Sequence, residues 1–291
     1  MRGPAAATLA LEEAILEIVE ERAPITVRGI CYALFVRKLI PSMEVLQTQR
    51  ISRITTKMRE AETLDWTKIV DDSRMVERAK TWDDPDSIIR VAVNTYRRDN
   101  WQEQPTIVEV WSEKGTVQGV LKPVLDDLGI AFRVMKGFGS FTRVKEAAVD
   151  SNADLARNQQ TVALYVGDWD PSGMHMSAID LPGRLARYGG QVQLKRIAIV
   201  KADHARLPHF DARTKAADSR HRWFVDKYGR RCWELDAMDP NALRNRVRRA
   251  IESYIDWIKW HRAIEIEAAE VASMKDFHKA WQSRLTVETP R

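Results

Sequence analysis

Two aspartates that are two residues apart carry the strongest chemical signal in the sequence. Asp168 and Asp170 stand in Gly-Asp-Trp-Asp-Pro-Ser-Gly, residues 167–173, directly after the apolar run at 162–166. That run predicts a strand buried on both faces, and residues two apart on extended backbone point to the same side. Ligands of open α/β sheets bind beyond the carboxyl ends of strands. We therefore expect chemistry at this pair.

Glu113 is a third carboxylate in the same kind of position, after a predicted strand at 107–111. Neighbouring parallel strands would bring it close to Asp168 and Asp170. Three carboxylates within about 4 Å repel by roughly 4 kcal/mol per pair at an effective dielectric of about 20. Mg²⁺ relieves that repulsion and prefers oxygen ligands, so the three form a candidate magnesium site, with Mn²⁺ as an alternative ion. In the other interpretation Asp168 is a helix N-cap, Asp170 a first-turn carboxylate and Glu113 an exposed turn residue.

The first 80 residues are predicted to be mostly helical. Apolar spacing and capping signals indicate helices over 9–21, from Thr26 to about residue 40, and over 44–62, followed by a strand or wing at 64–70. Three helices and a wing describe a winged helix-turn-helix, with the third helix as the candidate for DNA recognition. On that helix Arg50, Arg53 and Lys57 recur at three- and four-residue spacing and share one flank. They are the candidate DNA-binding residues.

From Thr106 onward the pattern changes to short strands alternating with helices. Strands are predicted at 107–111, 131–135, 161–166 and 196–200, with a helix at 116–128. This alternation predicts an α/β fold with a parallel sheet and helices on both faces. The chain then returns to helix, with an apolar stripe at Leu243, Val247, Ile251, Tyr254 and Ile258. The predicted division is a winged-helix domain at 1–80, a connector with one short helix at 81–105, an α/β domain at 106–205 and a basic helical extension at 206–291.

The composition of the 291 residues excludes several classes of protein. The chain is 44% hydrophobic and 30% charged, which excludes collagen-like and disordered chains. Its apolar runs are broken by charges within about ten residues, so we expect no membrane-spanning helix and no signal peptide. Cys31 and Cys232 provide neither a disulfide framework nor a zinc-binding spacing. We expect a globular protein of a reducing, cytoplasmic compartment.

The net charge of +5 is small but unevenly distributed. Residues 22–59 contain eight Lys and Arg against one acidic residue, and residues 195–231 contain eleven against four. Two such basic segments suit a partner with a phosphate backbone. A solvated basic surface is the alternative interpretation.

The order of these motifs resembles a known family. A Glu after the first strand and an Asp-x-Asp after a later one resembles the Toprim domain of topoisomerases, primases and related nucleases. Residues 168–173 look like the D-G-D-P-x-G signature of the topoisomerase VI A subunit and of the related meiotic double-strand-break transesterase. Residues 26–32, Thr-Val-Arg-Gly-Ile-Cys-Tyr, are similar to the motif that carries the family's catalytic tyrosine, in a winged-helix domain ahead of Toprim. Residues 136–139 and 196–199 are similar to further family segments, and the residues after 205 resemble, less specifically, the tails of stand-alone phage- and plasmid-type members.

The resemblance implies a site and a mechanism. Tyr32, with Arg28 beside it, would attack a phosphodiester of double-stranded DNA, forming a 5′-phosphotyrosyl link and freeing a 3′-OH. Mg²⁺ held by Glu113, Asp168 and Asp170 would stabilise the charge on the phosphate. The family also implies a homodimer in which the tyrosine of one protomer meets the metal site of the other. Such a protein would act at the nucleoid of a bacterium, or in the host cytoplasm if it is phage-encoded.

The residues around Tyr32 are compatible with this role. On a helix that begins at Val27, Arg28 and Tyr32 lie one turn apart on the flank of the apolar stripe. A free phenol has a pKa near 10, so only about one in a thousand is ionised at pH 7. A nearby guanidinium would favour the phenolate and stabilise a phosphate in reaction. A structural tyrosine at the edge of a helix pair is the alternative.

The sequence departs from the family pattern at Gly29, where an acidic residue is usual, and at Ser172, where an aromatic residue is common. It has no GxxxxGK[ST] segment and hence no recognisable ATP site. The protein would therefore act alone or with a separate ATPase subunit. Two other functions stay open: a Toprim hydrolase that activates water and has a structural Tyr32, and a non-catalytic DNA-binding dimer.

Overall fold

A computed structural model describes residues 6–70, 81–135 and 140–287 of the chain. The α-helices of this part are α1 (Ala6–Arg22), α2 (Val27–Val36), α3 (Val45–Glu60), α4 (Pro85–Thr95), α5 (Thr116–Leu128), α6 (Ser140–Ala156), α7 (Pro171–His175), α8 (Leu181–Arg187), α9 (His221–Tyr228), α10 (Pro240–Glu252) and α11 (Trp257–Val287). The strands are β1 (Ile25–Thr26), β2 (Ile69–Val70), β3 (Thr106–Ser112), β4 (Ala131–Val134), β5 (Gln160–Val166), β6 (Val192–Ala198), β7 (Phe210–Asp211) and β8 (Arg231–Cys232).

The described residues fall into two compact units. The first comprises residues 6–70, 107–135 and 140–254, and the second comprises residues 81–106 and 255–287. Residues 206–254 of the predicted helical extension thus belong to the first unit. The four-part division by function remains a prediction.

The three N-terminal helices form where the sequence predicts them and share one apolar core. Ile15 and Ile18 of α1, Ile30 of α2 and Ile51 of α3 are fully buried in it. α2 begins after Thr26, whose hydroxyl accepts a hydrogen bond from the Gly29 amide at 2.9 Å. This confirms the predicted N-cap, a bond that typically stabilises a helix by about 1 kcal/mol.

α2 ends at Val36, four residues before the predicted end. Lys38 adopts a left-handed backbone with φ of 59°. Its amide donates to the Phe35 carbonyl, and the Leu39 amide donates to the Leu34 carbonyl, both at 2.9 Å. This pair of bonds is a C-terminal cap that satisfies the last carbonyls of the helix. The helix therefore ends several residues before Pro41.

The strand or wing predicted at 64–70 is reduced to the two residues of β2. The Asp65 carboxylate accepts hydrogen bonds from the amide and the hydroxyl of Thr67, both at 2.8 Å, and folds 66–68 into a 3₁₀ turn. β2 pairs in parallel with β1, so these two strands do not form a hairpin. Residues 71–80, the end of the predicted winged-helix domain, lie outside the described part of the chain, as do residues 136–139.

The chain is an α/β protein with a four-stranded parallel sheet in the order β4-β3-β5-β6. The strands predicted at 107–111, 131–135 and 161–166 are confirmed, whereas the one predicted at 196–200 is β6, four residues earlier. β6 is an edge strand whose side chains alternate between half-buried and exposed. Gln193 and Lys195 interrupt its apolar pattern, so its first half does not look like a buried strand.

Helices pack on both faces of the sheet. α6 and α8 cover the face with Trp111, Ala163 and Tyr165. α5 and α10 pack on each other and on β4 and β6, and they cover the alternate side chains, such as Val110 and Leu164. β5 is therefore buried on both faces, as its continuous apolar run predicts.

A buried arginine of α10 joins the N-terminal helices to the helices on the sheet. The Arg244 guanidinium donates to the carbonyls of Arg22, Ala23 and Pro24, just beyond α1, and to the Val120 carbonyl of α5, at 3.1 to 3.3 Å. These bonds satisfy carbonyls at the end of α1 that have no partner within the helix.

The apolar stripe predicted from Leu243 to Ile258 is only partly correct. Leu243, Val247 and Ile251 are buried, but α10 ends at Glu252. The turn that follows changes the helical phase, so Ile258, in α11, is 85% exposed.

In the second unit, α4 is the short helix predicted in the connector, and it contacts α11. Glu270 of α11 accepts hydrogen bonds from the Tyr96 hydroxyl and from Arg98, both at 2.7 Å. Trp101 and Trp260 pack edge to face with their centroids 5.5 Å apart. Nowhere in residues 6–70, 81–135 and 140–287 is a helix both long and apolar enough to cross a membrane.

Candidate active site

The turn that carries the two aspartates lies at the carboxyl end of β5 and opens α7. Asp170 is the N-cap of α7, and its Oδ1 accepts a hydrogen bond from the Gly173 amide at 2.8 Å. A Cβ atom at position 173 would lie 2.3 Å from the Asp168 carbonyl oxygen, so only glycine fits there. Because Asp170 is the N-cap, the alternative interpretation in which Asp168 has that role is wrong. The backbone of the turn therefore requires Asp170 and Gly173 at this spacing, apart from any chemistry of the carboxylates.

Arg196, at the end of β6, holds this turn in place. Its guanidinium donates to the carbonyl oxygens of Gly173 at 2.6 Å, Gly167 at 2.8 Å and Asp168 at 3.2 Å. It also lies over the Tyr165 ring, 4.9 Å from the ring centroid. Burial lowers the pKa of Arg196. The turn is thus fixed through its backbone, which leaves its carboxylates available for other contacts.

Asp168 is buried and has two partners. Its Oδ1 accepts a hydrogen bond from the Leu235 amide at 2.8 Å, and its Oδ2 lies 2.9 Å from Lys114 Nζ. Burial raises the pKa of Asp168 to about 6, Lys114 acts against this, and the nearby charge of Asp170 adds to it. The protonation state of Asp168 near neutral pH therefore depends on the charges of Lys114 and Asp170.

Lys114 bridges two carboxylates of the site. Its Nζ is 3.0 Å from Asp236 Oδ2 as well as 2.9 Å from Asp168. Burial acts to lower the pKa of Lys114, but the charges of Asp168 and Asp236 outweigh it and raise the pKa. Lys114 thus remains a cation. Asp236 also accepts a hydrogen bond from the Thr26 hydroxyl at 2.8 Å.

Glu113 lies at the same edge of the sheet, as its position after β3 predicts. Ser172, in the first turn of α7, donates to Glu113 Oε1 at 2.9 Å. Glu113 is half-buried, not the exposed turn residue of the alternative interpretation. Asp170 Oδ2 is 3.5 Å from Lys215 Nζ. The turn at 168–173 therefore brings the three predicted carboxylates into one region.

The donor atoms suit a divalent cation in chemical kind. All three are carboxylates, the ligands that Mg²⁺ prefers in proteins, and Glu113 and Asp170 each use only one oxygen for a hydrogen bond. Asp168 is bound by Lys114 instead. Within the described ranges, no three His, Cys, Asp or Glu side chains are grouped closely enough to hold a metal ion. Glu113 and Asp170 are thus the two side chains best suited to contact one.

Tyr32 faces a carboxylate that the sequence analysis missed. The Tyr32 hydroxyl donates to Glu234 Oε2 at 3.2 Å. Arg28 Nη2 donates to Glu234 Oε1 at 2.6 Å, and Arg28 Nε binds the other oxygen. Burial and the Glu234 charge raise the pKa of Tyr32, and Arg28 only partly offsets this.

The flank position of Tyr32 on α2 does not leave it exposed. Its exposed fraction is 6%, because residues around Glu234 pack over it. Arg28, one turn earlier, has a side chain that is 44% exposed. A groove runs past both side chains. It is lined by Phe35, by Val45 and Thr48 of α3, and by residues 208–210, 214 and 215.

Three consecutive residues connect the tyrosine to the carboxylates. Glu234 binds Arg28 and Tyr32, the Leu235 amide binds Asp168, and Asp236 binds Lys114 and Thr26. These three residues were missed because no local motif marks them. Arg196 begins the segment 196–199 that resembles a family segment, but nothing in the sequence marks it as the residue that holds the turn. The one available signal is Lys114, which stands next to Glu113 in the sequence.

The predicted DNA-binding residues lie on another surface of the same unit. Arg50, Arg53 and Lys57 are exposed on one face of α3, as their spacing predicts. With Thr8 and Glu12 of α1 they border a shallow groove. They do not line the groove at Tyr32.

No protein-family model, no curated protein and no solved structure matches this chain. The resemblance to the topoisomerase VI A subunit thus rests on the motifs quoted above.

We expect the raised pKa of Asp168 to appear in the stability of the protein. Its protonated form is favoured by the fold, so its stabilising contribution is complete below about pH 4 and is lost as the pH rises through 6. Lys114 stays charged over this range. Relative to Asp168→Asn, the wild-type protein should lose about 3 kcal/mol of unfolding free energy between pH 4 and 7.

Urea denaturation at several pH values measures this difference. Asp126→Asn, on the exposed surface of α5, controls for the loss of one carboxylate. A constant difference between wild type and Asp168→Asn across this range would contradict the assignment.

Proposed function

We propose that the chain is a DNA strand-cleaving transesterase that resembles the topoisomerase VI A subunit. The observation that carries the proposal is the link through Glu234, Leu235 and Asp236. It holds a groove-lining tyrosine and arginine next to a turn with two aspartates, to which Glu113 is bound through Ser172. In this proposal the N-terminal helices act as a winged-helix domain and the parallel sheet as a Toprim domain.

In the reaction, the Tyr32 oxygen forms a bond to a DNA phosphorus atom and the bond to the 3′-oxygen breaks. The phenol loses its proton and the leaving 3′-oxygen takes one up, so the products are a 5′-phosphotyrosyl link and a free 3′-OH. Arg28 suits this step because its side chain is partly exposed and its guanidinium, which binds Glu234 in the structure, has the geometry to bind two phosphate oxygens at once. Its charge also lowers the pKa of the phenol, which favours the attacking phenolate.

Glu113 and Asp170 are the residues we propose to hold Mg²⁺ or Mn²⁺, with Asp168 as a third carboxylate that Lys114 releases. A bound divalent ion would neutralise charge on the phosphate and on the leaving oxygen. Lys114 lies between Asp168 and Asp236, so it can change partners without leaving the site.

The exposed face of α3 is the surface we propose for the DNA backbone. Arg50, Arg53 and Lys57 present three cations on it, and contacts of this type supply affinity with little sequence preference. We propose that two chains act together as a homodimer and cut one strand each. The chain has no recognisable ATP-binding motif, so ATP-driven strand passage would need a separate ATPase subunit.

A hydrolase is the second candidate, and one observation favours it. Tyr32 is only 6% exposed and its pKa is raised, as for a structural tyrosine. In that case the carboxylates would activate water and no covalent protein–DNA link would form.

Tyr32→Phe should abolish cleavage, because the phenylalanine has no oxygen to attack phosphorus. Wild-type protein is incubated with end-labelled duplex DNA in Mg²⁺ or Mn²⁺ and denatured, and covalent adducts are detected on gels with and without protease. We expect a protease-sensitive adduct that falls by at least about a thousandfold in Tyr32→Phe, as for loss of a catalytic nucleophile.

Tyr188→Phe, at a half-buried tyrosine after α8, is the matched control and should cleave like the wild type. Cleavage that persists in Tyr32→Phe would support the hydrolase. DNA binding without any cleavage would support a non-catalytic DNA-binding protein.

Replacing Arg50, Arg53 and Lys57 together by Gln should weaken DNA binding and its salt dependence. Each lost phosphate contact lowers the slope of log K against log salt concentration by about 0.9, so three contacts lower it by about 2.7. Fluorescence anisotropy with a labelled duplex measures both quantities. The control replaces Lys122, Arg143 and Arg187, which are exposed on helices at the sheet, and removes the same charge. Equal slopes for the two triple variants would refute the assignment of α3.

A mixing experiment tests whether one chain contains a complete site. Tyr32 and Asp168 contact adjoining residues of the same chain, so we expect each site to be completed within one protomer. Mixed dimers of Tyr32→Phe and Asp170→Asn chains, co-expressed with different tags, should then show no cleavage. Restored cleavage would mean that the tyrosine acts with the carboxylates of the other protomer, as the family implies.

A further inference from the structure

The contacts of Glu234 reproduce those that a phosphate would make. The Arg28 guanidinium donates from two nitrogens to the two carboxylate oxygens. Arginine binds carboxylate and phosphate in this same two-pronged geometry. The Tyr32 hydroxyl adds a third bond to the same anion. Arg28 and Tyr32 therefore form an anion site that a residue of the chain already fills.

The position of this site allows exchange with an anion from solution. The Arg28 side chain is 44% exposed and lines the groove, whereas the Glu234 side chain is 10% exposed. Glu234 lines the same groove as Arg28 and Tyr32, so an anion in the groove can reach the Arg28 guanidinium and compete with Glu234 for it. Lys215 also lines the groove, so an incoming phosphate meets a second cation.

We propose that Glu234 is an internal substitute for the DNA phosphate and keeps the site closed until a phosphodiester displaces it from Arg28. This inference rests on the proposed function, but it concerns binding and not cleavage. Glu234 acts here as a positioning residue, because it controls the partner of Arg28 and the proton on Tyr32.

A buried charge that loses its partner is costly, so displacement must leave Glu234 with another donor. Lys114 can serve as that donor, because the Glu234 charge is close enough to contribute to its raised pKa. The electrostatic effect on Tyr32 supports the same conclusion. Burial and the Glu234 charge raise the pKa of Tyr32 and Arg28 lowers it, so removal of the Glu234 charge should bring the pKa of Tyr32 down toward its ordinary value.

The test is a titration with inorganic phosphate that requires no cleavage. Full-length protein is labelled with ¹³Cζ-tyrosine, and the Tyr32 resonance, assigned with Tyr32→Phe, is followed by NMR as phosphate is added and as the pH is raised. Glu234→Gln should bind phosphate at least tenfold more tightly than the wild type and should have a lower Tyr32 pKa. Glu234→Gln combined with Arg28→Gln should lose the gain.

The chain offers a matched control in another buried pair. Glu109 accepts two bonds from Arg133 and a third from the Trp111 indole, all at 2.7 Å, and lies outside the groove. Glu109→Gln removes an equivalent carboxylate and should leave phosphate binding and the Tyr32 pKa unchanged. If Glu234→Gln does not fold, Glu234→Asp, whose shorter side chain cannot hold both contacts, should give a smaller gain of the same sign.

Unchanged phosphate binding in a folded Glu234 variant would overturn the proposal. A Glu234→Gln protein that loses DNA cleavage with unchanged phosphate affinity would also overturn it, and would make Glu234 the acceptor of the Tyr32 proton. If no variant and no wild-type protein cleaves DNA, the proposed function fails, while the phosphate titration still decides the role of Glu234.

Discussion

The arrangement of the site depends on one short stretch of backbone, Glu234 to Asp236. Its three residues bind the N-terminal helices, the turn after β5 and the lysine after β3. These three partners come from distant parts of the sequence, and each uses a charged or hydrogen-bonding group that would be costly to bury alone. A shift of this stretch would therefore disturb all three at once. The tyrosine and the carboxylates are mechanically one unit for this reason.

The charges of the site are balanced within it. Three carboxylates of the site are largely buried: Asp168, Glu234 and Asp236. Each has a cation or a backbone amide within hydrogen-bonding distance. Breaking one buried pair leaves an uncompensated charge, which costs about 3–5 kcal/mol. Exchange of partners costs less than loss of a partner. A network of this kind therefore favours rearrangement over opening, as the proposed displacement of Glu234 by a phosphate requires.

Much of the fold could be predicted because the spacing of apolar residues within short segments indicates the helices and strands. The helix at 116–128 and the strand at 161–166 have continuous patterns, and the cap that begins α2 is the Thr residue directly before it. The edge strand β6 and the end of α2 were misplaced, because exposure at a sheet edge and a left-handed residue leave little trace in composition. Glu113 could be paired with the aspartates through sheet order. Glu234 could not be paired with Tyr32, since the two are 202 positions apart and nothing local marks the contact.

Arg196 holds the turn at 168–173 in one shape, whatever the charge of the carboxylates on it. Its partners are mainly backbone carbonyl oxygens, three of them in the turn, and these neither gain nor lose protons between pH 4 and 9. The Asp168 carboxylate on the same turn changes its charge near neutrality, as its pKa of about 6 indicates. Protonation, or exchange of one cation for another, can then alter the local electric field while the scaffold stays where it is. A ligand that binds at this turn therefore meets atoms in fixed positions whose charges can change.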